Sequence, residues 1–253
     1  MINRFKMVAL ALPIVAILFT VPASASPVLN TALTYVGSAG IAGNDIQLTN
    51  HYDQGAAWLP TAVSTSTSFT SAFSFSLTNN TGWWPQADGI AFVMQNAGSS
   101  ALGGGGGGIG ESGFPGSLVA ASFQSWYNNH SGITFGNPYA GANNIPLGWG
   151  RIDIGNVTVS YNAMTTLLSL AANISVDSTV YAFSQSQVVD LSSYLGPTMY
   201  LGFVGGTGAQ SSDQRITAWD LTTTSVPEPS SLALLGLSLL GMGALRRRRS
   251  TVT

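Results

Sequence analysis

Ser66-Thr67-Ser68-Phe69-Thr70-Ser71-Ala72-Phe73-Ser74-Phe75-Ser76-Leu77 puts Phe69, Phe73, Phe75 and Leu77 on one side of an extended chain, with Ser, Thr or Ala elsewhere. Alternate side chains of a strand face opposite sides, so this pattern fits a sheet with one buried face. Asn79-Asn80-Thr81-Gly82 then supplies turn residues. Similar short runs recur at 90–94, 118–123, 157–161, 167–171, 180–183, 200–204 and 216–221, separated by Gly, Asn, Pro and Asp. Residues 158–170 read as a hairpin with a short loop. No long amphipathic helix pattern and no equal-period repeat emerges. Together these predict an all-β sandwich of antiparallel sheets rather than a solenoid or propeller.

The 253 residues leave room for one sizeable domain or two small ones, and such a domain buries a core without crosslinks. Charged residues make up only 7% of the chain, against roughly 25% in an ordinary soluble domain. The positives sit mainly at the ends, as Arg4, Lys6 and the run 246–249; between them lie Arg151 and Arg215 against nine acids, a net charge of −7. That excludes nucleic acid as a partner, because no basic surface exists to release its counterions. The absence of cysteine excludes disulfide frameworks, thiolate metal sites and cysteine nucleophiles.

The two ends read as addresses. Residues 1–25 carry Arg4 and Lys6, an apolar run over 7–21, and Ala23-Ser24-Ala25. A run this short, ending in a small-x-small pattern, predicts a signal peptide cut by signal peptidase between Ala25 and Ser26 rather than an anchor. Near the other end, Pro227-Glu228-Pro229 precedes an apolar stretch over 232–245 and four arginines. Fourteen helical residues span about 21 Å, short for a hydrocarbon core of about 30 Å unless the flanks contribute. The arginines would hold that end on the cytoplasmic side. This tail resembles the PEP-CTERM sorting signal of exopolysaccharide-producing Gram-negative bacteria. The resemblance implies a transmembrane helix before processing, cleavage near Pro227 to Pro229 by an exosortase, and delivery to the envelope, outer surface or extracellular matrix. The expected organisation is therefore a signal peptide over 1–25, a β-sandwich over 26–225, and a sorting signal over 226–253.

Three segments of the middle stand out: Ala87-Asp88-Gly89-Ile90-Ala91-Phe92, the glycine run 103–108 with Ile109-Gly110, and a strand over 119–125 leading into Trp126-Tyr127-Asn128-Asn129. An uncharged sugar is recognised by paired hydrogen bonds to vicinal hydroxyls and by a flat apolar face against its C–H patch. A carboxylate accepts, amides and backbone N–H groups donate, and Trp or Tyr provides the face. Asp88, a backbone N–H of the glycine run, Asn128, and Trp126 or Tyr127 make up such a set.

Over nearly all of 26–224 the chain resembles a legume-type (L-type) lectin domain, which implies a concanavalin-like jelly-roll sandwich with carbohydrate binding. Ala87 to Phe92 is similar to the family segment carrying its sugar-binding aspartate, here Asp88, preceded by a cis peptide bond. The glycine run matches a family glycine whose N–H meets the sugar, with Gly106 and Gly107 as candidates among six successive glycines. Asn128 takes the place of the family's donating asparagine. Asp190-Leu191-Ser192-Ser193, Tyr200-Leu201-Gly202-Phe203 and 216–220 resemble the C-terminal signature, in which the loop at Gly208, Ala209 and Gln210 shapes monosaccharide preference.

The family binds calcium, and its plant members manganese, through a Glu and an Asp on a strand that here reads Ser122 and Gln124. Replacing two carboxylates by a hydroxyl and an amide removes the charge that holds a divalent cation. The expectation is no metal cofactor, with His130 a surface-loop residue. A structural matrix or surface protein that keeps the fold without monosaccharide binding is the alternative to a lectin.

A glycosidase would need two carboxylates facing one cleft. The candidates Asp88, Glu111, Asp153, Asp177 and Asp213 form no such spaced pair on a strand, and His51 and His130 give little material for a triad. No enzyme is expected. Trp219 is expected in the core, Trp83 and Trp84 at a sheet edge, and Asp190 with Ser192 and Ser193 in a capped turn.

Overall fold

A computed structural model describes residues 26–27, 32–79, 86–125, 129–138, 145–148, 151–210 and 212–225. Sixteen strands occur among them: β1 Ser26–Pro27, β2 Thr34–Gly37, β3 Gly40–Ala42, β4 Asp45–Thr49, β5 Gln54–Trp58, β6 Val63–Ser64, β7 Thr67–Asn79, β8 Gly89–Gln95, β9 Leu118–Gln124, β10 Asn129–Thr134, β11 Ile145–Gly148, β12 Ile152–Asn162, β13 Leu167–Val176, β14 Thr179–Val188, β15 Thr198–Gly206 and β16 Ser212–Ser225. One short helix, α1 Leu191–Leu195, precedes β15.

The strands form two antiparallel sheets, the concanavalin-like sandwich. The first runs β14-β13-β12-β7-β16-β4-β3 with β1 also on β16; the second runs β11-β10-β9-β8-β15-β5-β2 with β6 on β15. The phenylalanine face of β7 lies between them. Phe73 pairs in register with Val157 on one side and Trp219 on the other. Its ring meets Phe203 of β15 edge-on at 4.9 Å, and Phe203 in turn meets Phe92 at 5.4 Å and Trp219 at 4.8 Å. Each fully buried large apolar side chain contributes about 1.5–3 kcal/mol, so this aromatic cluster dominates the union of the sheets. Trp219 is buried as expected, its indole N–H donating to Ser71 Oγ at 3.0 Å.

The expected hairpin over 158–170 is β12 and β13, both longer than their apolar runs suggest, with residues 163–166 as the loop. Their burial alternates along the chain, as one wet face requires. The second sheet departs from that pattern. All seven residues of β8 and all seven of β9 are buried. Their inner side chains meet the aromatic core. Their outer ones, Ala91, Val93, Leu118 and Ala120, form a second cluster with Ala56, Trp58 and Val204, covered by Leu102, Ile109 and Phe114. The residues between β8 and β9 thus lie as a lid on the second sheet, fixed by the Trp58 indole N–H donating to Ala101 O at 2.9 Å.

Asp190 caps α1, accepting from the Ser192 and Ser193 amides at 3.0 and 3.3 Å and from both hydroxyls at 2.7 Å. These donors hold its exposed carboxyl down at about 2. His130 corrects an expectation: its backbone lies in β10, opposite Gln124, and not in a loop. Trp83, Trp84 and the expected C-terminal hydrophobic helix lie outside the described residues, among which no helix is long and apolar enough to cross a membrane.

Candidate functional site

Asp88 stands at the entry to β8, and the Ala87-Asp88 peptide bond is cis. The backbone on both sides is fixed. The Asp88 N–H donates to Gly206 O at 3.0 Å, and Asp88 O accepts from the Ser125 N–H at 2.9 Å. Ala87 O accepts from Ser212 Oγ at 2.9 Å, while Gln214 Nε2 donates to Gly206 O at 3.0 Å. The carboxylate is therefore aimed by β15, β16 and the end of β9 together.

The lid brings glycine to this acid. Residues 103–112 close on themselves through Gly103 N–H to Gly110 O at 3.0 Å, Gly104 N–H to Ser112 O at 2.8 Å and Gly110 N–H to Gly104 O at 2.8 Å. Their tip is a single 3-10 turn, Gly106–Gly108. The Gly106 N–H donates to Thr207 O at 3.0 Å, and Gly106 has φ +57°, a left-handed conformation that side chains disfavour. Gly208 approaches the acid closely: a Cβ there would lie 3.2 Å from Asp88 Oδ2 and 3.4 Å from Gly106 Cα. The loop at Gly208 is itself held, with the Gly208 N–H donating to Gln210 O at 3.1 Å and the Thr207 N–H to Asp53 O at 2.8 Å.

Asp88 is half-buried, and its Oδ2 is covered and accepts no hydrogen bond from the protein. Burial pushes the carboxyl up to about 6, the neighbouring Gly208 amide pulling it partly back. The half-buried carboxylate thus has acceptor capacity that the protein does not use and that a ligand hydroxyl could take up.

Of the residues singled out in the sequence, Asp88, Gly106 and Gly208 converge. Gly107 belongs to the same turn, its carbonyl accepting from Gln124 Nε2 at 3.3 Å. Ala209 is exposed beside them, and Gln210 is half-buried. Trp126, Tyr127 and Asn128 lie outside the described residues.

Sequence reading missed the part Glu111 plays. It entered only as a candidate catalytic acid, yet it is 0% exposed, and its carboxyl meets Ser122 Oγ of β9 through Oε1 and Thr134 Oγ1 of β10 at 2.8 Å through Oε2. The two hydroxyls are 2.7 Å apart. Burial pushes the Glu111 carboxyl up to about 7, the two hydroxyls acting in the opposite direction. The sequence signal was available: an acid directly after a glycine run, with a hydroxyl where the resembled family has a carboxylate.

The same geometry tests the fit of a divalent cation. The Ser122 hydroxyl is engaged by Glu111 and Thr134, and the Gln124 amide turns a donor toward Gly107 O. A hydroxyl and an amide carry no charge for a cation, and among the described residues no three His, Cys, Asp or Glu side chains group together. Among the described residues, the groups at these positions do not fit the family's calcium or manganese.

The model of the legume lectin domain matches residues 25–235. The chain belongs to the legume lectin family. The seed lectin of Styphnolobium japonicum is 30% identical over 152 residues, covering 54% of this chain and 51% of that protein, so the chain spans about half the length of this relative. Among solved structures, basic winged bean lectin with Tn-antigen superposes with a TM-score of 0.68 at 21% identity, covering 80% of this chain and 99% of that one. Peanut lectin with a 9mer peptide gives 0.68 at 23%, covering 81% and 99%. At these identities the structures establish the legume lectin sandwich and no more. The PEP-CTERM protein-sorting motif matches residues 225–249, which marks this legume lectin domain as part of an exported, envelope-associated protein.

Proposed function

We propose that the domain is a carbohydrate-binding lectin module that recognises a polysaccharide of the cell envelope or extracellular matrix. The observation that carries this reading is the half-buried Asp88 carboxylate, whose backbone is fixed by three strands and which keeps unused acceptor capacity beside Gly106 and Gly208. In this reading the carboxylate accepts from two vicinal sugar hydroxyls. Because the Gly106 N–H already donates to Thr207 O, the Gly107 N–H is the donor of the glycine pair. Asn128 adds an amide, Trp126 or Tyr127 the apolar face, and Gly208, Ala209 and Gln210 shape the rim. The domain's family, one of lectins rather than catalysts, agrees with a binding role.

In the same reading, residues 1–25 are removed by signal peptidase to leave Ser26 at the front. The segment 226–253 inserts transiently as a membrane helix, and an exosortase cuts near Pro227, Glu228 and Pro229. The host is a Gram-negative bacterium. The second reading, a structural matrix protein without monosaccharide binding, is favoured by one observation, the loss of the carboxylates at Ser122 and Gln124.

Titration of the domain, with chelator present, against host exopolysaccharide and a panel of mannose, glucose, galactose and N-acetyl sugars decides between them. Saturable binding that Asp88→Ala abolishes while the melt stays cooperative supports the lectin. No binding by the parent to any member supports the matrix protein.

A further inference from the structure

We infer that Glu111 is the positioning residue of the candidate sugar site: its buried carboxyl, locked in a ring of hydrogen bonds with Ser122 and Thr134, holds the glycine loop against the second sheet without a metal. The inference rests on the lectin reading for its consequence in binding, but the anchor itself is a matter of geometry.

Three facts build it. First, the loop has no side chains with which to hold itself: residues 103–108 are all glycine, and their order comes from backbone bonds and from what lies at either end. Second, Glu111 closes the far end. Its own N–H donates to Gly108 O at 2.8 Å, and its carboxyl reaches down to two adjacent strands. Ser122 pairs in register with Gly132 and Thr134 with Ala120, so the two hydroxyls are diagonal neighbours on one face of β9 and β10. Third, the Gly106–Gly108 turn is itself attached, through the Gly106 N–H to Thr207 O and the Gly107 carbonyl to Gln124, so Glu111 fixes the chain just beyond a turn already held on its near side.

Proton counting sharpens the picture. The ring has three oxygen–oxygen contacts: Ser122 with Glu111, Thr134 with Glu111, and Ser122 with Thr134. Two hydroxyls bring two protons. The third belongs to Glu111 as a neutral acid, which completes the ring with each hydroxyl and the acid donating once and the second carboxyl oxygen only accepting. Full burial with no cation beside it favours the same form. A neutral carboxylic acid that both donates and accepts is mimicked by an amide and not by an aliphatic side chain, which gives the test its contrast.

The experiment compares parent, Glu111→Gln and Glu111→Leu in chelator-containing buffer. It uses amide hydrogen exchange together with titration against host exopolysaccharide and the sugar panel. In Glu111→Leu, protection of the Gly104, Gly106, Ile109 and Gly110 amides should fall at least about 10-fold while that of β7 and β12 is unchanged, and affinity should drop by a similar factor. Glu111→Gln should restore both. Loop protection unchanged in Glu111→Leu, or an amide variant as loose as the leucine one, would overturn the inference. Should Glu111→Leu not fold, the Ser122→Ala/Thr134→Val double variant removes the same ring from the strand side and is read by the same two outcomes. If the parent binds none of the sugars, the lectin reading fails, and the exchange arm still decides whether Glu111 anchors the loop.

Discussion

The two sheets of this sandwich are built from similar residues and solve different problems. In the first sheet, β12 and β13 alternate buried and exposed along their length, one face on the aromatic core and the other in water. In the second, β8 and β9 are buried on both faces because residues 101–114 lie across the outer side. The first sheet keeps its acids, among them Asp45, Asp213 and Asp220, on strands with solvent access; Asp213 and Asp45 pair with Arg215 there. The two acids whose carboxyls burial raises, Asp88 and Glu111, belong to the second. A sheet covered on both sides can hold a carboxylate in one direction and keep water from its partners, and that is where the candidate site lies. Stability comes from the shared core, and chemistry from the covered face.

The largest effect that tests this difference is a charge placed under the lid. Val93→Lys puts an unpaired ammonium on the outer face of β8, where the wild-type residue is 0% exposed, and should destabilise the domain by about 3–5 kcal/mol, read as denaturant midpoint or as failure to fold. A melt within error of the parent would mean that the lid opens freely.

Next in size is the response to pH. The Glu111 carboxyl moves from its ordinary 4.5 to about 7 and the Asp88 carboxyl from 3.8 to about 6, so the folded protein holds protons that the unfolded chain has released. For these two groups stability is full below about pH 4 and falls as pH rises to about 7, after which their effect is constant. Glu111 alone contributes of order 3 kcal/mol to this fall. Denaturation at pH 5 and pH 8 measures it, and Glu111→Gln should flatten most of the slope; an unchanged slope would place the buried proton elsewhere.

Sugar affinity should follow Asp88. A carboxylate loses acceptor capacity when protonated, so binding should weaken as pH falls below about 6, and Asp88→Ala should weaken it at least about 10-fold above that pH and remove the pH dependence. Calorimetric titration from pH 5 to pH 8 checks both. The smallest effect belongs to the first sheet: Ala171→Lys, on the exposed face of β13, should change stability by no more than about 0.5 kcal/mol. A cost comparable to that of Val93→Lys would show that this face too is covered.

What the sequence revealed follows the same division. β7, β12 and β13 were legible because one wet face forces the alternation that a reader looks for, and Phe69, Phe73, Phe75 and Leu77 are all buried as that alternation demands. In the second sheet the strands over 90–94, 118–123 and 200–204 were legible from their short apolar runs but their orientation was not, because Gly89-Ile90-Ala91-Phe92-Val93-Met94-Gln95 has no polar face to mark it. Asp88 was found because an acid at the head of such a strand is anomalous. Gly106 and Gly208 were assigned to one site by the resemblance alone, since 102 positions separate them and no local pattern reveals the β8–β15 pairing that helps bring them together. Glu111 left a trace in the sequence, but its partners were hard to pick out because they lie 11 and 23 residues further along, on strands whose register no local pattern fixes.

One feature of the first sheet bears on mechanics. Strand β16 ends at Ser225, the first residue of the matched sorting motif, and runs antiparallel to β7 from Ser212↔Asn79 to Ser225↔Thr67. A pull at residue 225 against a ligand bound at the candidate site would therefore run along the axis of β16. The ladder bonds to β7 lie across that direction, so they resist as a group in shear, where a strand peeled from its end would give way one bond at a time. Ser26 and Pro27 lie on the same strand, opposite Leu221 and Asp220. The front of the domain thus emerges near the end of β16 that leads into the sorting motif, while the candidate site lies at that strand's other end, beside Ser212.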